Sequence, residues 1–363
     1  MPERSRAGAA ATLAALAIVA CSTDTSGLVR RSPTGGSAGV GGSGATGGGA
    51  GDGAGGAAAG GGGDTPELTG TGAIGVVHGL LDGGVLFACA SDLESGASIT
   101  GEQAQPPGGL PYAGVLELPT GWNLETADVE LSLFVASGAM WTSPSCAELA
   151  AAAVDPLAVR PSPDAGSSDA GVVAPPFPLE PTLPRRAGSV RLAPGSLISG
   201  AHYALIAAGC TGPGASDQAA VCGNPDPFGS VQALVLVQIS SEPVAGDDRL
   251  GLQFVNASRV IDRADLTLQN DRQQAPAPLG SDVPFGVVRP FRAAAVAEPV
   301  GVELHVRREP LPSYAQAWAD TLGDESSAAT LLGHNHLLAY IGPLPPINVL
   351  GLNPPRFVLV RGR

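Results

Sequence analysis

His334-Asn335-His336 is the densest grouping of metal-capable side chains in this chain. Residues two apart on a strand project from one face, so both imidazoles could reach a single ion. No third ligand is evident beside them, and such a pair is more often a polar strand edge or loop. No G-x-S-x-G nucleophile elbow marks a hydrolytic centre, since the one string of that form, Gly35 to Gly39, lies inside the Gly-rich stretch, and H-E-x-x-H and S-x-x-K are missing. Five scattered histidines mark no catalytic triad. The expectation is a non-enzymatic protein without a cofactor. The alternative is a surface hydrolase or metal-dependent enzyme that uses His334 and His336.

Cysteine is the other reactive residue type. Cys21 stands apart near the N-terminus; Cys89, Cys146, Cys210 and Cys222 lie in the body of the chain. An even number in an exported protein points to disulfides, and four cysteines allow three pairings. Cys210–Cys222 is favoured because it closes a short loop, which leaves Cys89–Cys146 by elimination. A metal site would want paired C-x-x-C spacing, which none of these has.

The elements that would carry these groups begin with a leader. Arg4 and Arg6 precede an apolar run of fourteen, Ala7 to Ala20. A bilayer-spanning helix needs roughly 20 apolar residues, so the run suits a signal h-region instead. Ile18-Val19-Ala20-Cys21 resembles a bacterial lipobox. That resemblance implies that residues 1–20 are removed and that Cys21 becomes a lipidated N-terminus. Several acyl chains on one cysteine give stable anchoring. By resemblance to enteric lipoproteins, Ser22 rather than Asp after the cysteine implies the outer membrane, so the expected location is the cell envelope.

Composition narrows the partners. The net charge is −14, and all 19 basic residues are arginine. An acidic balance with no basic stripe argues against nucleic acid and against anionic headgroups. The membrane contact is therefore expected through lipid on Cys21, with a protein or glycan partner at the cell surface. Gly 52 and Pro 33 suit linkers and short strands better than a helical protein.

From Ser32 to Asp64 the chain is nearly all Gly, Ala, Ser and Thr. It cannot bury enough apolar surface to offset chain entropy and reads as a tether within 21–68. A Gly-rich coil of that length spans roughly 30 Å. Short strands follow: Ile74 to His78, Val85 to Cys89, and Val129 to Ala136, whose Val129, Leu131, Leu133 and Val135 alternate with polar residues. Cys146 to Val154 reads as a short helix. A Pro/Asp/Gly-rich insertion is expected over 155–186. Strands resume at Gly188 to Leu192, Tyr203 to Ala208 and Val231 to Ile239. Pro243 to Asp248 is turn-like and divides a first domain, 69–242, from a second, 249–363. There Leu250 to Asn256, Ala264 to Leu268, Val283 to Val288, Val300 to Val306, Leu337 to Ile341 and Phe357 to Val360 read as strands. Ser313 to Leu322 reads as a capped helix. The expected fold class is all-β, two consecutive Ig-like or Greek-key sandwiches. A solute-binding lipoprotein is disfavoured because βα alternation is missing.

The halves echo each other. Val76-Val77-His78-Gly79 precedes Leu110-Pro111-Tyr112-Ala113-Gly114, as Phe254-Val255-Asn256-Ala257-Ser258 precedes Val283-Pro284-Phe285-Gly286. The second copy, with Ala264-Asp265-Leu266 between, resembles the repeats of an uncharacterised family of secreted bacterial β-sandwich domains. That family tends to open V-x-x-V-N-A-S-P, then V-D-V-Y, then V-P-F-G or V-A-Y-G. Arg259 departs from the usual Pro, and the first copy has His78 for Asn and no V-D-V. The layout as a whole is similar to lipoproteins of myxobacteria. The resemblance implies fold and location and carries no activity. The sequon at Asn256-Ala257-Ser258 reads as core architecture.

Overall fold

The computed structural model describes residues 73–118, 127–153, 183–198, 200–211, 219–224, 231–244, 246, 249–270, 277–289, 292–295, 299–306, 313–322, 331–343 and 353–362. Cys21, the leader and the Gly-rich stretch lie outside the described residues, as does most of the 155–186 insertion. No helix among the described residues is long and apolar enough to cross a membrane.

The fold is all-β. The first half contributes β1 (Ala73–Leu80), β2 (Val85–Asp92), β3 (Gln105–Leu110), β4 (Val115–Glu117), β5 (Val129–Ala136), β6 (Arg185–Leu192), β7 (His202–Gly209) and β8 (Gln232–Ile239). These form two four-stranded sheets, β4-β1-β7-β8 and β3-β2-β5-β6. The second half contributes β9 (Arg249–Asn256), β10 (Arg263–Asn270), β11 (Ala277–Pro284), β12 (Arg292–Ala295), β13 (Pro299–Val306), β14 (Tyr314–Ala317), β15 (Asn335–Ile341) and β16 (Arg356–Arg361). Its sheets are β12-β9-β15-β16 and β11-β10-β13-β14. Strand for strand the order is the same. β1 pairs β7 in parallel, and β9 pairs β15 in parallel; the other pairings are antiparallel. The sequence echo is thus a duplicated topology.

Each half packs its own core. Leu86, Leu131, Leu133 and Leu205 fill the first, and Phe254, Leu266, Leu304 and Tyr340 the second. A third apolar layer lies between the halves: Val77, Ile206, Val237 and Ile239 meet Val255, Leu337, Ile341 and Val358. The two inner sheets are therefore covered on both faces. That is why β1 and β15 are buried at every residue whereas β5 alternates over Val129 to Ser132. Small residues permit the close approach. A Cβ on Gly79 would stand 2.9 Å from Ile341 Cγ2, and one on Gly75 2.9 Å from Val360 Cγ1.

Three short helical segments occur among the described residues: α1 (Cys146–Ala152), α2 (Ala219–Cys222) and α3 (Trp318–Leu322). The stretch expected as one helix, Ser313 to Leu322, divides into β14 and α3. Tyr314 to Ala317 pair with β13, and the Gln316 side chain accepts from the Phe357 amide and donates to the Phe357 carbonyl. Tertiary pairing overrides local helix propensity there. The insertion is also shorter than expected, since Arg185 and Arg186 already belong to β6. The Pro-containing β3 escaped notice because proline argues against a strand; it sits at a sheet edge, where proline is tolerated.

The differences between the two repeats have structural reasons. In the second repeat the Asn256 carbonyl side-chain oxygen accepts from the Ser258 amide, and its amide donates to the Ile261 carbonyl. In the first repeat His78 Nδ1 accepts from the Leu80 amide at 3.3 Å, which leaves the proton on Nε2, 3.4 Å from the Gly84 carbonyl. A neutral imidazole thus reproduces the acceptor-and-donor role of asparagine across the strand connection. The V-P-F-G element is likewise conserved in geometry: Gly286 (φ 68°) donates to the Asn256 carbonyl, and Ala113 (φ 62°) to that of His78.

The V-D-V aspartate is explained by a bulge. Asp282 adopts φ 55°, and its amide donates to Asp265 Oδ1 at 2.6 Å. Gly109 (φ 77°) occupies the corresponding position before Leu110, as Asp282 does before Val283. A glycine adopts this conformation unaided, so the first repeat can carry Phe87 where the second has Asp265.

Burial lowers the His78 and His336 pKa from 6.5 to about 4. The unfolded chain takes up these protons near pH 6.5 and the folded chain only near pH 4. Stability is therefore full above pH 6.5, falls as pH drops toward 4 and levels off below it, by about 3 kcal/mol for each histidine. His78→Asn is expected to keep the fold at pH 7.5 and to remove about half of the acid loss. Denaturation midpoints for both proteins at pH 7.5 and about pH 4 check this; an unchanged acid loss would refute it.

Candidate functional site

The outer faces of the two repeats differ in chemistry. In the second repeat the outward residues are polar: Thr267 lies opposite Glu303 and Asp265 opposite His305, and Gln269 donates to Glu303 at 2.6 Å. His305 Nε2 lies 3.7 Å from the same Glu303 carboxylate. In the first repeat the matching surface carries Phe87, Cys89 and Phe134, which pack with Ala104 and Leu149 as a small outer core. Helix α1 provides the cover.

That helix is held by few contacts. Ser145 caps it: its hydroxyl accepts from the Glu148 amide at 3.1 Å, and Glu148 Oε2 accepts from the Ser145 amide at 2.8 Å. This reciprocal capping box satisfies two amides that the helix leaves open. Leu149 is its only buried residue. A disulfide from Cys146 to Cys89 pins its first turn to the middle of β2. In the chain-entropy view a bridge with a sequence separation of 57 contributes about 4 kcal/mol.

Between α1 and the sheet runs a groove of about 440 Å³. Glu130, Ser132 and Phe134 of β5 and Arg186 of β6 form its floor. Cys146, Ala150 and Ala153 form the helix wall, with Ser91 and Ser98 opposite. Arg186 donates to Glu130 Oε1 at 2.8 Å and to Ser132 Oγ at 3.1 Å. Both charged side chains are substantially exposed, so the pair adds little to stability and its polar atoms can face a ligand. The surface offers a fork of donors, a carboxylate, hydroxyls and an apolar strip. It can bind a polar ligand or an extended chain.

Glu130 and Ser132 read from the sequence only as the solvent side of a strand, and Arg186 as part of the insertion. A signal was nevertheless present. Phe87, Cys89 and Phe134 interrupt the polar side of β2 and β5, and an apolar patch on an outer sheet face requires a cover.

The second disulfide joins Cys210 to Cys222. Both cysteines are fully buried with Leu81, Val221 and Val231. Beside it, buried Asp82 accepts from the Thr211 amide at 2.6 Å and hydroxyl at 2.7 Å, with Arg185 Nη1 3.6 Å away. Burial pushes the Asp82 carboxyl up and the Arg185 guanidinium down. The cluster ties β6 to the ends of β1 and β7.

His334 and His336 do not converge. His334 precedes β15 and is exposed, whereas His336 lies inside the strand and is buried. His336 Nε2 is 2.9 Å from the Leu331 carbonyl, and its Nδ1 is buried without a hydrogen-bond partner. No group of three His, Cys, Asp or Glu suited to a metal ion occurs among the described residues. Asn256 and Ser258 of the sequon are core residues.

Arg259 crosses the junction between repeats. It donates to the Gln232 carbonyl at 3.1 Å and the Asn224 carbonyl at 2.8 Å, and its guanidinium lies 5.8 Å from the Phe285 ring centre. Its stem packs on Gly209 and Gly223, both at positive φ. No family model matches this chain, and no curated protein matches it.

Proposed function

We propose that this chain is a non-enzymatic, lipid-anchored protein of the cell envelope, attached through Cys21, that presents a binding groove on its first repeat. The observation that supports binding is the asymmetry of the outer faces. Among the described residues one repeat displays a polar sheet face, while the other carries a helix pinned across the sheet and a groove beneath it. A purely structural pair of repeats has no need of that difference. The two outer sheets lie at opposite ends of the stack, so a partner bound in the groove stays clear of the second repeat. The outer-membrane location and a protein or glycan ligand belong to the same reading.

The anchor is tested by metabolic labelling with an acyl analogue: wild type is expected to take up label and Cys21→Ser none. For the groove, soluble chain lacking the leader is incubated with separated protein and glycan fractions of the envelope. Arg186→Ala is expected to lower retention at least tenfold in one fraction while thermal stability stays within about 1 kcal/mol, as befits an exposed pair. Equal retention of both proteins would refute the groove as the binding site.

A further inference from the structure

The two disulfides occupy opposite environments. Cys210 and Cys222 are 1% and 0% exposed in a closed apolar cluster. Cys89 and Cys146 both line the open groove, and Cys146 is half-buried on the helix wall. Thiol–disulfide exchange requires a thiolate to reach a sulfur in line, so access separates the two bonds before any other property does. The Thr100 hydroxyl lies 3.5 Å from Cys146 Sγ, and it is the donor because a disulfide sulfur carries no hydrogen.

The second observation is what the bond restrains. Helix α1 has seven residues, far below the length at which an isolated helix is stable in water. Apart from its cap, Leu149 is its only buried residue, with half-buried Cys146 packed beside it and the Cys146 amide donating to the Glu102 carbonyl at 3.1 Å. Beneath it lie the buried Phe87 and Phe134, which would gain exposure if it left.

We propose that Cys89–Cys146 is a thiol-exchange site and that a dithiol reductant opens it, freeing α1 and dismantling the groove. An incoming thiolate attacks Sγ of Cys146, the more exposed of the two residues. The Sγ–Sγ bond breaks and its electron pair leaves on Cys89, which takes a proton. The second thiol of the reagent then displaces Cys146 from the mixed disulfide. The protein bond gains two electrons and two protons, and the dithiol becomes a cyclic disulfide. Loss of ligand binding on reduction rests on the groove being the binding site; the exchange itself does not.

The test titrates dithiothreitol into the native full chain, quenches with iodoacetamide and locates the label by mass spectrometry. Cys89 and Cys146 are expected to be labelled at least tenfold faster than Cys210 and Cys222. Hydrogen exchange over 145–153 should accelerate at least tenfold in the reduced protein while β2 and β5 stay protected. Equal labelling rates, earlier labelling of Cys210 and Cys222, or unchanged protection over 145–153 would overturn the proposal. A double variant, Cys89→Ala with Cys146→Ala, should exchange over 145–153 as the reduced wild type does; wild-type protection would overturn it as well. The Arg186→Ala binding experiment uses oxidised protein, so its failure is separable from failure here.

Discussion

Arg259→Ala is expected to uncouple the two repeats. The side chain makes two charge-assisted hydrogen bonds to carbonyls of the first repeat from a position in the second. Bonds of that kind contribute roughly 1.5–3 kcal/mol each when partly buried. One of these is exposed, and the lost packing of the Arg259 stem on Gly209 adds to the deficit, so a loss of about 3 kcal/mol is expected. Because that loss falls on the junction, calorimetry should resolve two transitions where wild type shows one. Arg259→Lys should not restore coupling, since a single ammonium cannot span two carbonyls as the planar fork does. A variant that melts in one transition at the wild-type temperature would remove Arg259 as the clamp.

The second large effect is Gly109→Ala. At φ 77° an added Cβ would stand 2.2 Å from Val85 Cγ2 and 2.5 Å from Val85 Cβ. The left-handed conformation costs roughly 1–2 kcal/mol for a non-glycine residue, and overpacking a similar amount or more. A total of about 3 kcal/mol corresponds to roughly 5 °C in melting temperature for a chain of this size. Val85→Ala in the same chain should recover part of it by making room. Asp282→Gly, at the equivalent position of the other repeat, should stay within about 1 kcal/mol of wild type, because relief of its backbone offsets the exposed pair with Arg263. Similar losses for Gly109→Ala and Asp282→Gly would contradict the equivalence of the two bulges.

The binding groove was the least legible feature. Its floor comes from β5 and β6, its wall from α1, and its far side from the segment after β2. Each contributes residues of ordinary type, and none forms a motif in one stretch of sequence. Arg186 reaches Glu130 across 56 residues of chain, a pairing that only strand register sets. The histidine pair failed in the opposite direction. Spacing suggested convergence, but β15 begins at Asn335, so His334 remains outside the strand while His336 enters the core.

Strand chemistry and duplication were determined by the sequence alone. Alternating apolar residues, Gly- and Pro-rich connections and the echo of V-P-F-G in L-P-Y-A are local, and a strand's period and a turn's backbone angles are local properties too. What covers each sheet face was decided by the tertiary structure. The inner sheets read as uniformly apolar because each has a neighbour on both sides, and no single strand carries the identity of that neighbour. The same holds for α1: a seven-residue helix is stable only where Leu149 finds Phe87 and Phe134 and Cys146 finds Cys89. Those contacts close long loops, and their free energy resides in packing between segments that the order of residues leaves far apart.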